Sequence, residues 1–252
     1  MSQINESPII TVERRKAVTI IIATVILSLA IGGGLMQVGS GFASRSSDGI
    51  TVTGSAKTTA TADNAVWVLN VSLSTPSVAA AVKKVDADVA ALSEYLIAGG
   101  IPAEALTLGA VATYANEEFS NGNVTGRILS YRATREVTVR STDVQLVSRL
   151  SQGIGSLLAT GINANNYGPA YYISNLPELR PQLMAEAMKD ARVRAEALTN
   201  AVGGKIGALV NVKAGPIQIT TPDSTMTADY GAYDTSTIEK TVSATVSVTF
   251  KS

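Results

Sequence analysis

Ala17 to Val38 reads AVTIIIATVILSLAIGGGLMQV, carries no charge and directly follows Arg14, Arg15 and Lys16. As a helix these roughly 22 residues extend about 33 Å at about 1.5 Å each. A bilayer core is about 30 Å thick, so the stretch is long enough to span it. The three cations hold the N-terminal flank in the cytoplasm. Residues 1–16 then form a cytoplasmic tail, 17–38 an anchor, and the chain beyond lies in the periplasm or another extracytoplasmic space. The stretch assigns a location and no activity.

The rival reading is a cleaved signal peptide, since Gly41-Phe42-Ala43 places small residues where a signal peptidase prefers them. A signal core runs about 7 to 15 residues, and the greater length here favours an uncleaved anchor. Gly32, Gly33 and Gly34 lie late in the span, and Ser28 with Gly32, like Ala30 with Gly34, has the spacing that lets helices approach closely. Membrane helices also tolerate glycine for no such reason.

Beyond the anchor about 210 residues remain, enough for one large domain or two packed lobes. From residue 41 onward 17 Lys and Arg balance 18 Asp and Glu. No basic run marks a nucleic-acid partner. The chain has no Cys and no His. Disulfides, thiol nucleophiles, Ser-His-Asp machinery and imidazole-ligated metals are therefore all absent. Proton chemistry near neutral pH would need shifted carboxylates or lysines. No cofactor is expected, and the reading is of a protein that is not an enzyme.

Gly39 to Gly49 is small and polar, a tether. Ile50 to Ser55 and Val66 to Ser74 alternate as strands do, the second with Trp67, Leu69, Val71 and Leu73 on one face. Thr75-Pro76 offers a helix start, and Val78, Val82, Val85, Val89, Leu92 and Leu96 make one stripe before Gly99-Gly100 ends it. Leu106 to Ala115 and Arg127 to Arg140 read as strands joined by a loop, NEEFSNGNVTG, with a turn at Asn121-Gly122. Arg135 shares a face with Tyr131, Ala133, Val137 and Val139. It reads either as a cation in a groove or, the favoured reading, as a strand-end or intersubunit ion pair with a carboxylate such as Glu118 or Glu136 of a neighbouring chain.

Thr142-Asp143 caps a second helix that runs to about Leu158. Residues 162–174 mix strand and turn, with tyrosines at 167, 171 and 172. A third helix covers about Pro177 to Val202, with Leu179, Leu183, Ala187, Ala191, Ala195, Leu198 and Val202 in a stripe. Asp190 and Arg194 pair at i,i+4 on its other faces. Ile206 to Lys213 is a strand, and Thr241 to Phe250 alternates almost without a break. The fold class is α+β: one transmembrane helix, then ββαββα-βαββ, antiparallel sheets with packed helices in two intimately packed lobes.

Residues 215–240 form a long loop without period, and such loops are functional or mobile. Asp223, Asp229, Tyr230, Tyr233 and Asp234 lie in it. The acidic residues lack the spacing of a calcium loop, and no metal is expected. Tyr230, Tyr233 and Asp234, with Arg135, are the candidate interface residues. Glu117-Glu118 reads as a solvated pair rather than a catalytic one.

ITVTGSA at 50–56, Gly100-Ile101, SYRATREVTV at 130–139 and MKDARVRAEALTNAVGGKIGALVNV at 188–212 together resemble the SIMPL domain family. The likeness runs from Ile50 to Phe250. The family often has Pro-Asp where Ala62-Asp63 stands and a small polar residue at Arg135, and no motif matches 215–240. The resemblance implies an exported or membrane-anchored protein of the bacterial cell envelope. Some members are linked to oxidative-stress tolerance, and one assembles into a large hollow ring. It implies no catalytic residues.

The expected protein is thus a single-pass, membrane-anchored subunit of a large homo-oligomer, a scaffold whose partners are the membrane and itself. The alternative is a binding module that takes a peptide, a glycan or an envelope protein through the 215–240 loop.

Overall fold

β1, Gly49–Thr61, and β10, Glu239–Lys251, run antiparallel in unbroken register from Gly49 opposite Lys251 to Thr61 opposite Glu239. The computed structural model that shows this describes residues 49–251. The anchor residues Arg14, Arg15, Lys16, Gly32, Gly33 and Gly34 lie outside the described residues. Among the described residues no helix is long and apolar enough to cross a membrane.

Alternation in β10 gives its two faces different fates. Val242, Ala244, Val246, Val248 and Phe250 are buried. The opposite face carries hydroxyls, with Thr51 and Thr249 side chains 2.9 Å apart. β8 (Leu209–Ala214) and β9 (Gln218–Thr220) both pair with the other side of β10, which completes the first sheet.

One helix covers this sheet: α4, Leu176–Ala201. Leu183, Ala187, Ala191 and Ala195 are its buried stripe. Alanine at these places brings the backbone close, and Gly54 of β1 completes the fit. A Cβ there would lie 2.1 Å from the Ala187 carbonyl oxygen and 2.4 Å from the Ala191 nitrogen. Asp190 reaches back to β1, accepting from the Ser55 N–H at 2.8 Å and from Arg194 Nε at 2.8 Å. β1 is an edge strand, so this carboxylate satisfies a donor that no neighbouring strand takes. These contacts give the 50–56 and 188–194 segments their physical meaning.

Ala62 and Asp63 carry the chain directly from β1 to β2, Asn64–Thr75, in the second sheet. The Ala62 N–H donates to Ile238 O at 2.8 Å and the Asp63 N–H to Tyr172 O at 3.0 Å. The Asp63 carboxylate accepts from the Ser174 N–H and hydroxyl. β2 pairs with β5 (Asn123–Ser141) on one side and with β6 (Ala164–Asn166) and β7 (Ala170–Tyr172) on the other. β3 (Leu106–Leu108) and β4 (Ala112–Ser120) line the outer side of β5.

α1, Val78–Ala98, packs across β2 and β5. Its Val85, Val89, Leu92 and Leu96 join Trp67, Leu69, Val71, Val137 and Val139 in the larger core. Trp67 Nε1 donates to Asn166 Oδ1 at 2.9 Å, so the buried indole is satisfied. α2 (Val144–Gly153) and the short α3 (Gly155–Leu158) close the end of this core.

Several local expectations change: the 106–115 strand is two, β3 and β4, the second helix is broken at Ile154, β8 starts only at Leu209, and β9 lies inside the expected 215–240 loop. The cap of α1 is Ser77, whose side chain accepts from the Ala80 N–H, and Thr75 instead donates to the Ser77 carbonyl. Val78 is exposed, while Asp88 occupies a buried position of the stripe. Lys84 holds Asp88 Oδ1, and Oδ2 has no partner. Leu198 and Val202 continue the stripe of α4 in spacing but are 55% and 84% exposed, while Thr199 between them is the buried residue of that turn. The segment 116–126 is not a loop: β4 and β5 continue as a hairpin around Asn121 (φ 50°) and Gly122 (φ 81°), the left-handed pair a two-residue turn requires.

Candidate interaction surfaces

Arg135 leaves β5 on the helix-facing side. Its Nε donates to Gly109 O at 2.9 Å and its Nη1 to Asp86 Oδ1 of α1 at 2.8 Å. Within the chain its carboxylate partner is therefore Asp86 of α1. Glu118 instead pairs across the hairpin with Arg127, whose Nε donates to Oε2 at 3.1 Å. Glu136 accepts from the Thr138 hydroxyl. Arg135 ties helix to sheet, and nothing in its geometry points to a ligand.

The 215–240 segment is pinned at several points. Gln218, buried in β9, accepts from the Ala232 N–H at 2.7 Å and the Ala228 N–H at 3.3 Å, and donates to Ala228 O at 2.7 Å. The Tyr233 hydroxyl accepts from the Ile173 N–H at 2.9 Å, and its ring lies 5.9 Å from that of Tyr172. The Asp234 N–H donates to Ile219 O at 2.8 Å. Lys240, 1% exposed, donates its ammonium to Asp234 O at 2.7 Å. Burial pushes the Lys240 pKa down, and the Asp234 charge offsets part of that. At Asp234 burial acts upward, but the Ser236 hydroxyl and N–H and the Lys240 charge outweigh it and hold the carboxyl below its ordinary value. Neither Gln218 nor Lys240 carries a signal in the sequence. An amide and a lysine in a polar stretch look solvated until the fold closes over them.

Of the candidate interface residues, this brings Tyr233 and Asp234 together as structural pins. It leaves Tyr230 99% exposed at the outside of the same loop. Arg135 is in the other sheet and takes no part. Beside Tyr230 and Tyr233 lies an open groove of about 420 Å³, walled by Leu176, Met184, Pro216 and Ile217, with Arg180 as its single charged side chain. A second depression of about 540 Å³ lies between Gln152, Tyr167, Pro169 and Glu239. Each has at most one charged side chain, so neither brings two carboxylates to bear on a bound molecule. Among the described residues no three acidic side chains converge as a metal site.

Two surfaces expose apolar side chains. The first is the β4–β5 hairpin, where every residue from Phe119 to Leu129 is exposed. Phe119 (70%) stands opposite Val124 (50%), with Ile128 and Leu129 behind them. The second is the end of the first sheet, where Leu198 and Val202 of α4 and Leu209 and Val210 of β8 are exposed. Single exposed apolar residues are ordinary on any protein, but grouped ones mark contact surfaces.

No curated protein matches the sequence. The ITVTGSA strand, the alanine-striped helix that packs on it and all but the last residue of β10 fall within residues 50–250, which match the family described as "SIMPL: Protein of unknown function (DUF541)", and the chain belongs to that family.

Proposed function

We propose that this is a membrane-anchored, non-enzymatic protein of the cell envelope that assembles with copies of itself and serves a structural role. The observation that carries the reading is the β4–β5 hairpin. It presents Phe119, Val124, Ile128 and Leu129 to solvent on two paired strands with an open outer edge. A monomer has nothing to gain from that arrangement, and an apolar strand pair with a free edge is a ready contact for a second copy. The absence of His and Cys and the single charges of the two grooves support a role without catalysis. Many copies with one anchor each would hold a membrane by multivalency.

The test is the paired substitution Phe119→Asp and Val124→Asp in the full chain. Assembly is lost while circular dichroism and the thermal midpoint stay near wild type. Undiminished assembly removes the hairpin as the contact.

A second reading rests on Tyr230, an exposed aromatic on a pinned loop beside the Arg180 groove. There the protein binds a peptide, a glycan or an envelope partner. A Tyr230→Ala variant that loses such a partner at unchanged oligomer mass would favour it.

A further inference from the structure

The end of the first sheet around Gly49 exposes a group of apolar side chains with two exposed lysines nearby. Gly49 lies opposite Lys251, and Ile50 opposite Phe250, which in turn lies opposite Leu209. α4 runs antiparallel to β1. Its Leu183 belongs to the core cluster that holds Ala56, Ala60 and Val242, while Ala187, Ala191 and Ala195 belong to the one that holds Ile50, Val52 and Phe250, with Gly54 against Ala187 and Ala191. The last turns of α4 therefore extend past Ala195 at the Gly49 end. Leu198 and Val202 sit there in line with the buried stripe, yet 55% and 84% exposed, with Leu209 (53%) and Val210 (45%) on the adjoining edge strand.

Lys205 and Lys251 are exposed beside them, and neither is ion-paired with a described carboxylate. Glu196 lies further back along the helix, held by Arg192. Apolar side chains rimmed by lysines are the composition that rests on a bilayer surface: the aliphatic groups enter the acyl boundary and the ammonium groups meet lipid phosphate.

The chain outside the structure supplies the location. Only residues 39–48 separate Val38 from Gly49, and ten residues reach at most about 36 Å even when fully extended. If 17–38 crosses the bilayer, Gly49 is held within reach of the headgroups, and the face around it is the part of the domain delivered to them.

We propose that this face, built on Leu198, Val202, Leu209 and Val210 and flanked by Lys205 and Lys251, docks on the leaflet from which the anchor emerges. Docking sets the domain upright on the membrane with the α4–β8 end down. The inference rests on the reading of 17–38 as a membrane helix.

The chain has no cysteine, so single-cysteine variants of the full protein report one site each. The variants are Val202→Cys, Leu209→Cys, Val124→Cys at the hairpin and Leu27→Cys in the anchor. Each carries an environment-sensitive fluorophore and is reconstituted into phosphatidylcholine–phosphatidylglycerol vesicles that contain a nitroxide lipid as quencher, headgroup-proximal for 202, 209 and 124 and mid-chain for 27, which stands halfway along 17–38. The expected result is quenching at 202 and 209 several-fold stronger than at 124, together with quenching at 27. If 27 is quenched while 202 and 209 behave as 124 does, the anchor stands and the docking face is wrong. No quenching at 27 removes the anchor and the docking face together. Disulfide-linked dimers formed by air oxidation of the unlabelled 202 or 209 variants, with no lipid quenching of the labelled ones, would instead assign the face to a second copy and overturn the proposal.

Discussion

Replacing Gly54 by alanine destabilises this protein although the site is a strand interior where alanine normally helps. With an ordinary backbone conformation, a glycine-to-alanine change stabilises by about 0.4–1 kcal/mol, because the unfolded chain loses freedom. Here the added Cβ would stand 2.1 Å from Ala187 O, 2.4 Å from Ala191 N and 2.7 Å from Ala191 Cβ. Ordinary C···O contacts begin near about 3.3 Å, so α4 must retreat by about 1 Å. A gap of that size forfeits roughly a quarter to a half of the dispersion attraction along the contact. It also stretches the Asp190–Ser55 hydrogen bond from 2.8 Å beyond bonding distance. Overpacking of this kind costs about 1–3 kcal/mol, and for a domain of this size each kcal/mol lowers the midpoint by about 2–4 °C. Thermal unfolding of Gly54→Ala followed by circular dichroism should show a drop of several degrees. Denaturant midpoints should fall with the slope unchanged. Adding Ala191→Gly should not restore the loss, since the nearest clash is with main chain. A midpoint equal to or above wild type would refute the reasoning, because it would mean the helix does not sit against Gly54 as described.

Other outcomes follow from single contacts. Asp190 is held below the ordinary carboxylate range by the Ser55 N–H and then by Arg194, and Asp63 by the Ser174 hydroxyl first. Their stabilisation is present above about pH 4 and is lost as pH falls through the lowered values, so stability should be level near neutrality and decline in acid. Asp190→Asn should lower the midpoint at pH 7 and converge on wild type in strong acid; a constant offset at every pH would argue against the linkage. For Lys240 the folded pKa is lowered by burial, so the unfolded chain binds more protons between that value and about 10.4. Wild-type stability against denaturant should rise on alkaline titration and that of Lys240→Met should not. A double-mutant cycle with Arg135→Ala and Asp86→Ala should give a coupling of about 0.2–1 kcal/mol, and no coupling would mean the pair does not form in solution.

The sequence shows elements wherever one period and one environment coincide. β10 is the clearest case, since each alternate residue from Val242 to Phe250 is buried on the face beneath α4. It misleads where they part. The β4–β5 hairpin looks like a loop because it is polar and because register shifts at Asn116, Glu117 and Phe119 break the alternation. Leu198 and Val202 keep the helical spacing yet stand exposed while Thr199 between them is buried, so the pattern persists without the burial. The partner of Arg135 lies 49 residues away on another element, a distance at which no local pattern operates. The pins at Gln218 and Lys240 depend on main-chain groups brought in from a loop, which leave no composition to read. Of the candidate interaction surfaces, Tyr230 is legible as an exposed aromatic in a polar stretch, and the exposed apolar residues of the paired hairpin are not.

Assembly is the central claim, and the mass of the full-length protein in mild detergent tests it most directly. Light scattering on the column eluate should give a single species many times the 26.0 kDa chain mass, unchanged on dilution through the micromolar range. A monomer at micromolar concentration would contradict the account, and the exposed apolar hairpin would then need another explanation.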